Sequence, residues 1–300
     1  MSNAPQFGRL ITAMITPFTP TGGVNLEEAQ RIANWLIDQG TETLVIAGTT
    51  GESPTLAHEE EAELFRTMVA AVKGRAKVIA GTGSNATSTA IKATQMAEAL
   101  GVDGVLQVVP YYNRPSQEGL FQHFKAVAQN TNLPIMLYNI PGRTGRNLEP
   151  ETVSRLTQFS NIVAIKEAAG NVEQVKKLRI LLPAYIDIYS GDDALTLDFM
   201  EQGACGVVSV ASHCAGPQIR EMIDAYSAGD KTTAYQINQN LKPLFDGLFM
   251  TTNPAPVKAA MEMMGFHPGG LRLPLVELTS EEKDRLKAIL VQTGVISVPA

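Results

Sequence analysis

The chain has 300 residues, 44% of them hydrophobic and 18% charged, which is enough apolar material for one large core with an appendage. A formal net charge of −6 without any cluster of lysine and arginine leaves no electrostatic footprint for nucleic acid or an anionic membrane surface. The first residues, Met1 to Phe7, lack the basic start and apolar stretch of a secretion signal, and no run of about 18 apolar residues follows, so a cytoplasmic protein is expected.

In chain order, apolar and β-branched runs at 10–15, 44–47, 77–80, 104–109, 134–138, 162–166, 186–189 and 206–210 predict strands. Amphipathic segments at 26–39, 58–72, 88–100, 117–129, 150–158, 172–182 and 194–202 predict helices between them. Alternation of nearly continuous apolar strands with helices implies parallel pairing under a helical cover. Eight such units fit a closed (β/α)8 TIM barrel of the α/β class better than an open sheet. The barrel is expected over 1–225. Helical patterns at 217–228, 232–248, 254–264 and 280–293 then predict a C-terminal helical domain over 226–300.

Barrel chemistry sits on the strand ends and loops of the C-terminal face, so each strand's exit is informative. After the second strand, Gly48-Thr49-Thr50-Gly51-Glu52-Ser53 offers backbone N–H groups and hydroxyls to a carboxylate, or forms an ordinary glycine turn. After the third, Gly81-Thr82-Gly83-Ser84 begins like a dinucleotide fingerprint but lacks the third glycine, so a barrel turn is the better reading. After the fourth, two consecutive phenols, Tyr111 and Tyr112, suit an interface as well as a pocket. Tyr138 ends the fifth strand with Arg143 in the loop above. A phenol can relay protons and a guanidinium can clamp a carboxylate, although each is also common as a half-buried aromatic or a solvated charge.

The sixth strand ends in Lys166. An ammonium in a buried strand is costly, so the position requires either a paired or snorkelling side chain, with Glu167 as partner, or a dry amine kept neutral as a nucleophile for a carbonyl substrate. After the seventh strand, Ser190-Gly191-Asp192-Asp193 carries paired carboxylates that could suggest a metal, but Gly191 and Asp192 read better as a tight turn and helix start. A metal is not expected, because the four histidines (His58, His123, His213 and His267) show no ligand spacing. Cys205 and Cys214 are expected to be inert core thiols.

Six segments in this order resemble the dihydrodipicolinate synthase and N-acetylneuraminate lyase family of Schiff-base-forming class I aldolases and lyases. They are Gly48 to Ser53, Pro110-Tyr111-Tyr112-Asn113-Arg114-Pro115-Ser116-Gln117-Glu118-Gly119, Tyr138-Asn139-Ile140-Pro141-x-Arg143-Thr144-Gly145, Ile165-Lys166-Glu167-Ala168, Ser190 to Asp193 and Asn253-Pro254-x-Pro256-Val257-Lys258. The resemblance covers essentially the whole chain. It implies a lyase with Lys166 as the imine-forming nucleophile and a proton relay through Tyr138, Thr49 and Tyr112, the last from a neighbouring subunit. It also implies Thr49 and Thr50 on the carboxylate of pyruvate, with the Gly191 and Val208 backbone in the same pocket. Arg143 resembles the synthase branch, where it would bind the carboxylate of aspartate 4-semialdehyde; the sialic acid lyases carry an apolar residue there. No metal or organic cofactor is implied.

The same resemblance implies a homotetramer built as a dimer of tight dimers, and a lysine-binding cleft matched here by His58, Asn85 and Tyr111. Glu61 and Thr89 depart from the lysine-sensitive pattern, which has a second histidine and a glutamate at those places, so weak or absent inhibition is expected. Two other readings stay open on sequence: a keto-deoxy sugar acid aldolase of the same family, and a barrel that binds keto acids without turnover.

Overall fold

A computed structural model describes residues 4–297. Eight strands, β1 (Leu10–Ala13), β2 (Thr43–Ile46), β3 (Lys77–Gly81), β4 (Gly104–Val108), β5 (Ile135–Asn139), β6 (Ile162–Glu167), β7 (Asp187–Ser190) and β8 (Gly206–Ser209), close a barrel in chain order. Every adjacent pair is parallel, and β1 pairs with β8 to complete the ring. Between them run α1 (Leu26–Asp38), α2 (His58–Val72), α3 (Thr87–Ala99), α4 (Gln117–Ala128), α5 (Pro141–Thr144), α6 (Pro150–Leu156), α7 (Val172–Leu181) and α8 (Thr196–Glu201). The expected (β/α)8 fold is what the chain adopts.

The strands read as unbroken apolar runs because both faces are buried. One face fills the barrel with Ile11, Val45, Ile79, Met136, Ala164 and Val208, and Phe7 is buried among them. The other face meets the helices in a second, larger core. Successive side chains in a strand alternate between these faces, so Lys166 and Glu167 cannot share one environment. β1 ends at Ala13, two residues short of expectation, though Met14 N still donates to Val45 O at 3.0 Å.

After β8 the chain forms α9 (Ser212–Ser227), which begins five residues earlier than predicted. It is two helical pieces joined at Ala215 (φ −138°, ψ 37°). Pro217 lacks an N–H and its ring crowds the preceding turn, so it opens the second piece instead of continuing the first. The expected seam at 225/226 falls inside this helix. Three further helices, α10 (Lys231–Gly247), α11 (Ala255–Met263) and α12 (Ser280–Gln292), follow as predicted. Their Leu244, Val257 and Leu290 join the outer core with Ile219, so no separate core divides barrel from extension. Among the described residues no helix is long and apolar enough to cross a membrane.

Burial pushes the Cys205 and Cys214 thiols up to about 12, in keeping with the inert role expected of them. Burial also pushes His213 and His123 down to about 4. His213 Nε2 accepts from Ile15 N at 3.2 Å and its Nδ1 donates to Val210 O at 2.9 Å, while His123 Nδ1 bonds Thr87 Oγ1 at 2.9 Å. Between pH ~6.5 and ~4 the unfolded imidazoles take up protons that the folded ones refuse. Stability is therefore expected to fall as pH drops through that window, by about 3 kcal/mol per imidazole at most. Urea unfolding at stepped pH checks this, and the slope should be shallower in His123→Asn.

Candidate active site

Lys166 lies at the C-terminal end of β6, 6% exposed, in one row with Tyr138 of β5 and Tyr189 of β7. Its Nζ sits 4.3 Å from the centre of the Tyr138 ring. Among the described residues, no carboxylate lies within ion-pairing distance of Nζ.

Glu167 is not its partner. The Glu167 carboxylate points the opposite way and accepts from Asn139 Nδ2 (3.1 and 3.0 Å), Gln174 Nε2 (2.9 Å) and Ala169 N (2.7 Å), with burial pushing its pKa upward against those donors. The two phenols flanking Lys166 also differ. Tyr189 OH donates to Gly8 O at 2.9 Å, toward the N-terminal end of the barrel, and burial pushes its pKa far up, so it serves as a latch. Tyr138 is 4% exposed and faces the mouth. Gly191 packs directly on Lys166: a Cβ there would lie 2.9 Å from Lys166 Cε and 2.7 Å from Ala168 Cβ. Val208 belongs to the barrel-interior cluster with Tyr138.

The turn after β2 is built from outside the barrel sequence. Thr50 is buried, and its Oγ1 accepts from Asn253 Nδ2 at 2.9 Å across 203 residues. Glu52, in the left-handed region at φ 57°, meets Lys258 Nζ of α11 at 2.6 Å, with side chains 0% and 3% exposed. Lys258 also donates to Gly270 O at 2.8 Å and lies 4.1 Å from the Phe18 ring centre, while Arg272 N donates to Glu52 Oε2 at 3.1 Å. Asn253 and Lys258 were visible in the sequence only as members of a recurring motif; their contacts explain why that segment accompanies the threonine turn. Asp193 has a role that its sequence position does not signal. It is a buried carboxylate that accepts from the Val210 and Ala211 amides, both at 2.9 Å, and from the Ser209 hydroxyl, and so fixes the start of α9. Asp192, by contrast, does cap its turn, accepting from Ala194 N at 2.9 Å.

A cavity of about 440 Å³ opens above strands β2 to β5. Thr49, Tyr138 and Arg143 line it, while Lys166, Thr50, Gly191 and Val208 lie outside its lining. Arg143 is presented by the short helix α5, which was not predicted; Pro141 opens it and Gly145, at φ 74°, ends it. The cavity continues to His58, Tyr111, Glu61 and Thr89, so Thr49, Tyr138 and Arg143 share one space with part of the expected lysine cleft. Asn85 stands beside this space, its carbonyl accepting from Asn113 Nδ2 at 2.8 Å. Tyr112 is 91% exposed and adopts φ 72°, an unfavourable conformation for a residue with a Cβ. The Gly81 and Gly83 positions are occupied by close packing, since a Cβ would fall 2.2 Å from Ala47 O and 2.4 Å from Val108 N respectively.

An amine buried at the C-terminal end of a strand in a closed (β/α)8 barrel, against a phenol ring, is the make-up of a Schiff-base-forming class I lyase. The chain belongs to the dihydrodipicolinate synthetase family, whose sequence model matches residues 6–293. It is 56% identical over 285 residues to a 4-hydroxy-tetrahydrodipicolinate synthase of Desulforudis audaxviator, covering 95% of this chain and 97% of the relative. It is 57% identical over 289 residues to the enzyme of that name from Synechococcus elongatus, with 96% and 97% covered. Among solved structures, the Cyanidioschyzon merolae enzyme with lysine bound superposes with a TM-score of 0.96 at 46% identity, over 97% of this chain and all of that one. The Thermotoga maritima dihydrodipicolinate synthase gives 0.95 at 38% identity, with 97% and 100% covered.

Proposed function

We propose that this protein condenses pyruvate with L-aspartate 4-semialdehyde to 4-hydroxy-tetrahydrodipicolinate, on the route to diaminopimelate and lysine. The observation that carries the reading is Lys166, an amine buried against the Tyr138 ring without a carboxylate partner among the described residues. Its nitrogen adds to the ketone carbon of pyruvate and water leaves, forming an imine. The protonated imine draws electrons from the neighbouring methyl group, which loses a proton to give an enamine. The enamine carbon bonds to the aldehyde carbon. The amine of the second substrate then replaces Lys166 at the former ketone carbon, closing the ring and freeing the enzyme.

Each step moves a proton, and we assign the relay to Tyr138, Thr49 and a Tyr112 donated by a neighbouring subunit. Support for the last is its exposure and held backbone: a phenol projecting 91% into solvent does nothing for its own barrel. Thr49 and Thr50 hold the pyruvate carboxylate, and the Gly191 and Val208 backbone walls the same pocket. Arg143, exposed on the rim of the cavity, supports an aldehyde bearing its own carboxylate over a sugar acid. The assembly we infer is a homotetramer, a dimer of tight dimers, in the cytoplasm. Borohydride added with pyruvate should reduce the imine and leave a pyruvate-derived mass on the peptide containing Lys166. An unmodified Lys166 peptide would defeat the reading.

The cleft formed by His58, Asn85 and Tyr111 is poorly equipped for free lysine. Glu61 is engaged by His58 Nδ1 at 3.1 Å, and its burial pushes its pKa upward, while Thr89 offers no charge. Binding a second ammonium there costs desolvation without a dedicated carboxylate. Activity is expected to stay within twofold at about 1 mM lysine, and a steady-state titration that shows half-inhibition below that level would contradict this.

A further inference from the structure

We infer that Asn253 is a positioning residue for the keto-acid carboxylate, acting through Thr50 by fixing the direction of its hydroxyl proton. This rests on the reading in which Thr50 holds the carboxylate of pyruvate. A threonine hydroxyl has one proton to donate and lone pairs to accept with. Asn253 Nδ2 occupies a lone pair of Thr50 Oγ1 at 2.9 Å. Among the described residues nothing accepts from the Thr50 hydroxyl, so in a residue 3% exposed its proton remains unspent and is directed away from Asn253. An anion is the strongest acceptor such a proton can meet.

Asn253 is itself 5% exposed, and its Oδ1 has no hydrogen-bond partner. A buried acceptor left unpaired is costly. The cost is consistent with an amide retained for its donor. The contact is also held at both ends. Glu52, two residues past Thr50, and Lys258, five past Asn253, form the buried ion contact, and Lys258 is further tied to Gly270 O. Helix α11 thereby clamps the turn, and Asn253 cannot drift from Thr50 without breaking that pair.

The test is steady-state kinetics with both substrates varied, on the full-length enzyme. Asn253→Ala should raise the KM for pyruvate about tenfold, the loss of one charge-assisted contact, while the KM for the aldehyde changes less than about twofold. Thr50→Val should have a similar effect. The double variant should be no worse than Thr50→Val, because the amide has no role once the hydroxyl is gone. Asn253→Ser, which keeps a donor, should recover part of the loss and serves if the alanine variant folds poorly. Additive effects, equal shifts in both KM values, or an unchanged pyruvate KM in both Asn253 variants would overturn the inference. Borohydride trapping on the unsubstituted enzyme separates the two levels: a labelled Lys166 with any of those outcomes rejects the role of Asn253 alone, whereas an unlabelled Lys166 removes the catalytic reading and this inference with it.

Discussion

Lys166→Ala is expected to lower turnover by about 10³-fold or more and to abolish the borohydride-dependent mass on its peptide. The size of the effect follows from what the side chain alone can do. Pyruvate bound by hydroxyls and backbone is still a ketone whose methyl protons are held firmly; only attachment to an amine turns the carbon into an electron sink. Lys166→Arg should fail almost as badly, although it keeps the positive charge over the Tyr138 ring, 4.3 Å from the lysine nitrogen. A guanidinium remains protonated under all working conditions and offers no free lone pair. The pair of variants therefore separates charge from nucleophilicity: recovery of turnover in the arginine variant would show that the cation, not the bond, is what the site needs. Stopped turnover with intact folding, measured by circular dichroism and thermal unfolding, is the result that fits.

The largest effect on stability is expected at the other buried lysine. Lys258→Met should destabilise the protein by about 3–5 kcal/mol, because it strands the Glu52 carboxylate at 0% exposure with its counter-charge gone. Burial pulls the Lys258 ammonium down from the ordinary lysine range, and Glu52 opposes that pull. The pair is a close ion contact 2.6 Å long, supported by the Gly270 carbonyl and the Arg272 amide. Removing both charges in Glu52→Gln/Lys258→Met leaves two neutral groups of similar volume, so most of the loss should be regained. Chemical denaturation of the two single variants and the double gives the coupling directly; a double variant as unstable as the sum of the singles would mean that the two charges do not depend on each other.

Much of this fold is legible in the sequence because a parallel barrel strand is buried on both faces and so appears as an uninterrupted apolar run. Tyr138 and Lys166 then fall at strand ends, and Thr49 in the turn just after one, by counting alone. What escaped that reading has physical causes. The choice between Glu167 and no partner for Lys166 depended on which face each side chain takes, and alternation along β6 sends the carboxylate to Asn139 and Gln174. Asp193 carries no local signal of its role, because its amide partners at 210 and 211 are set by how β8 leaves the barrel. Thr50 and Asn253 lie 203 residues apart, a juxtaposition created where the segment leading into α11 meets the turn after β2. The short helix carrying Arg143 is four residues long, below the length at which periodicity is a signal.

Phe7 is 1% exposed in the barrel-interior cluster, and the Tyr189 hydroxyl is tied to Gly8. Among the described residues the lumen is thus stoppered at its N-terminal end, which leaves the opposite, C-terminal face for the approach to Lys166. With both substrates coming from that face, the smaller keto acid is expected to be seated before the aldehyde, because the reverse order would leave the aldehyde blocking the approach to the amine.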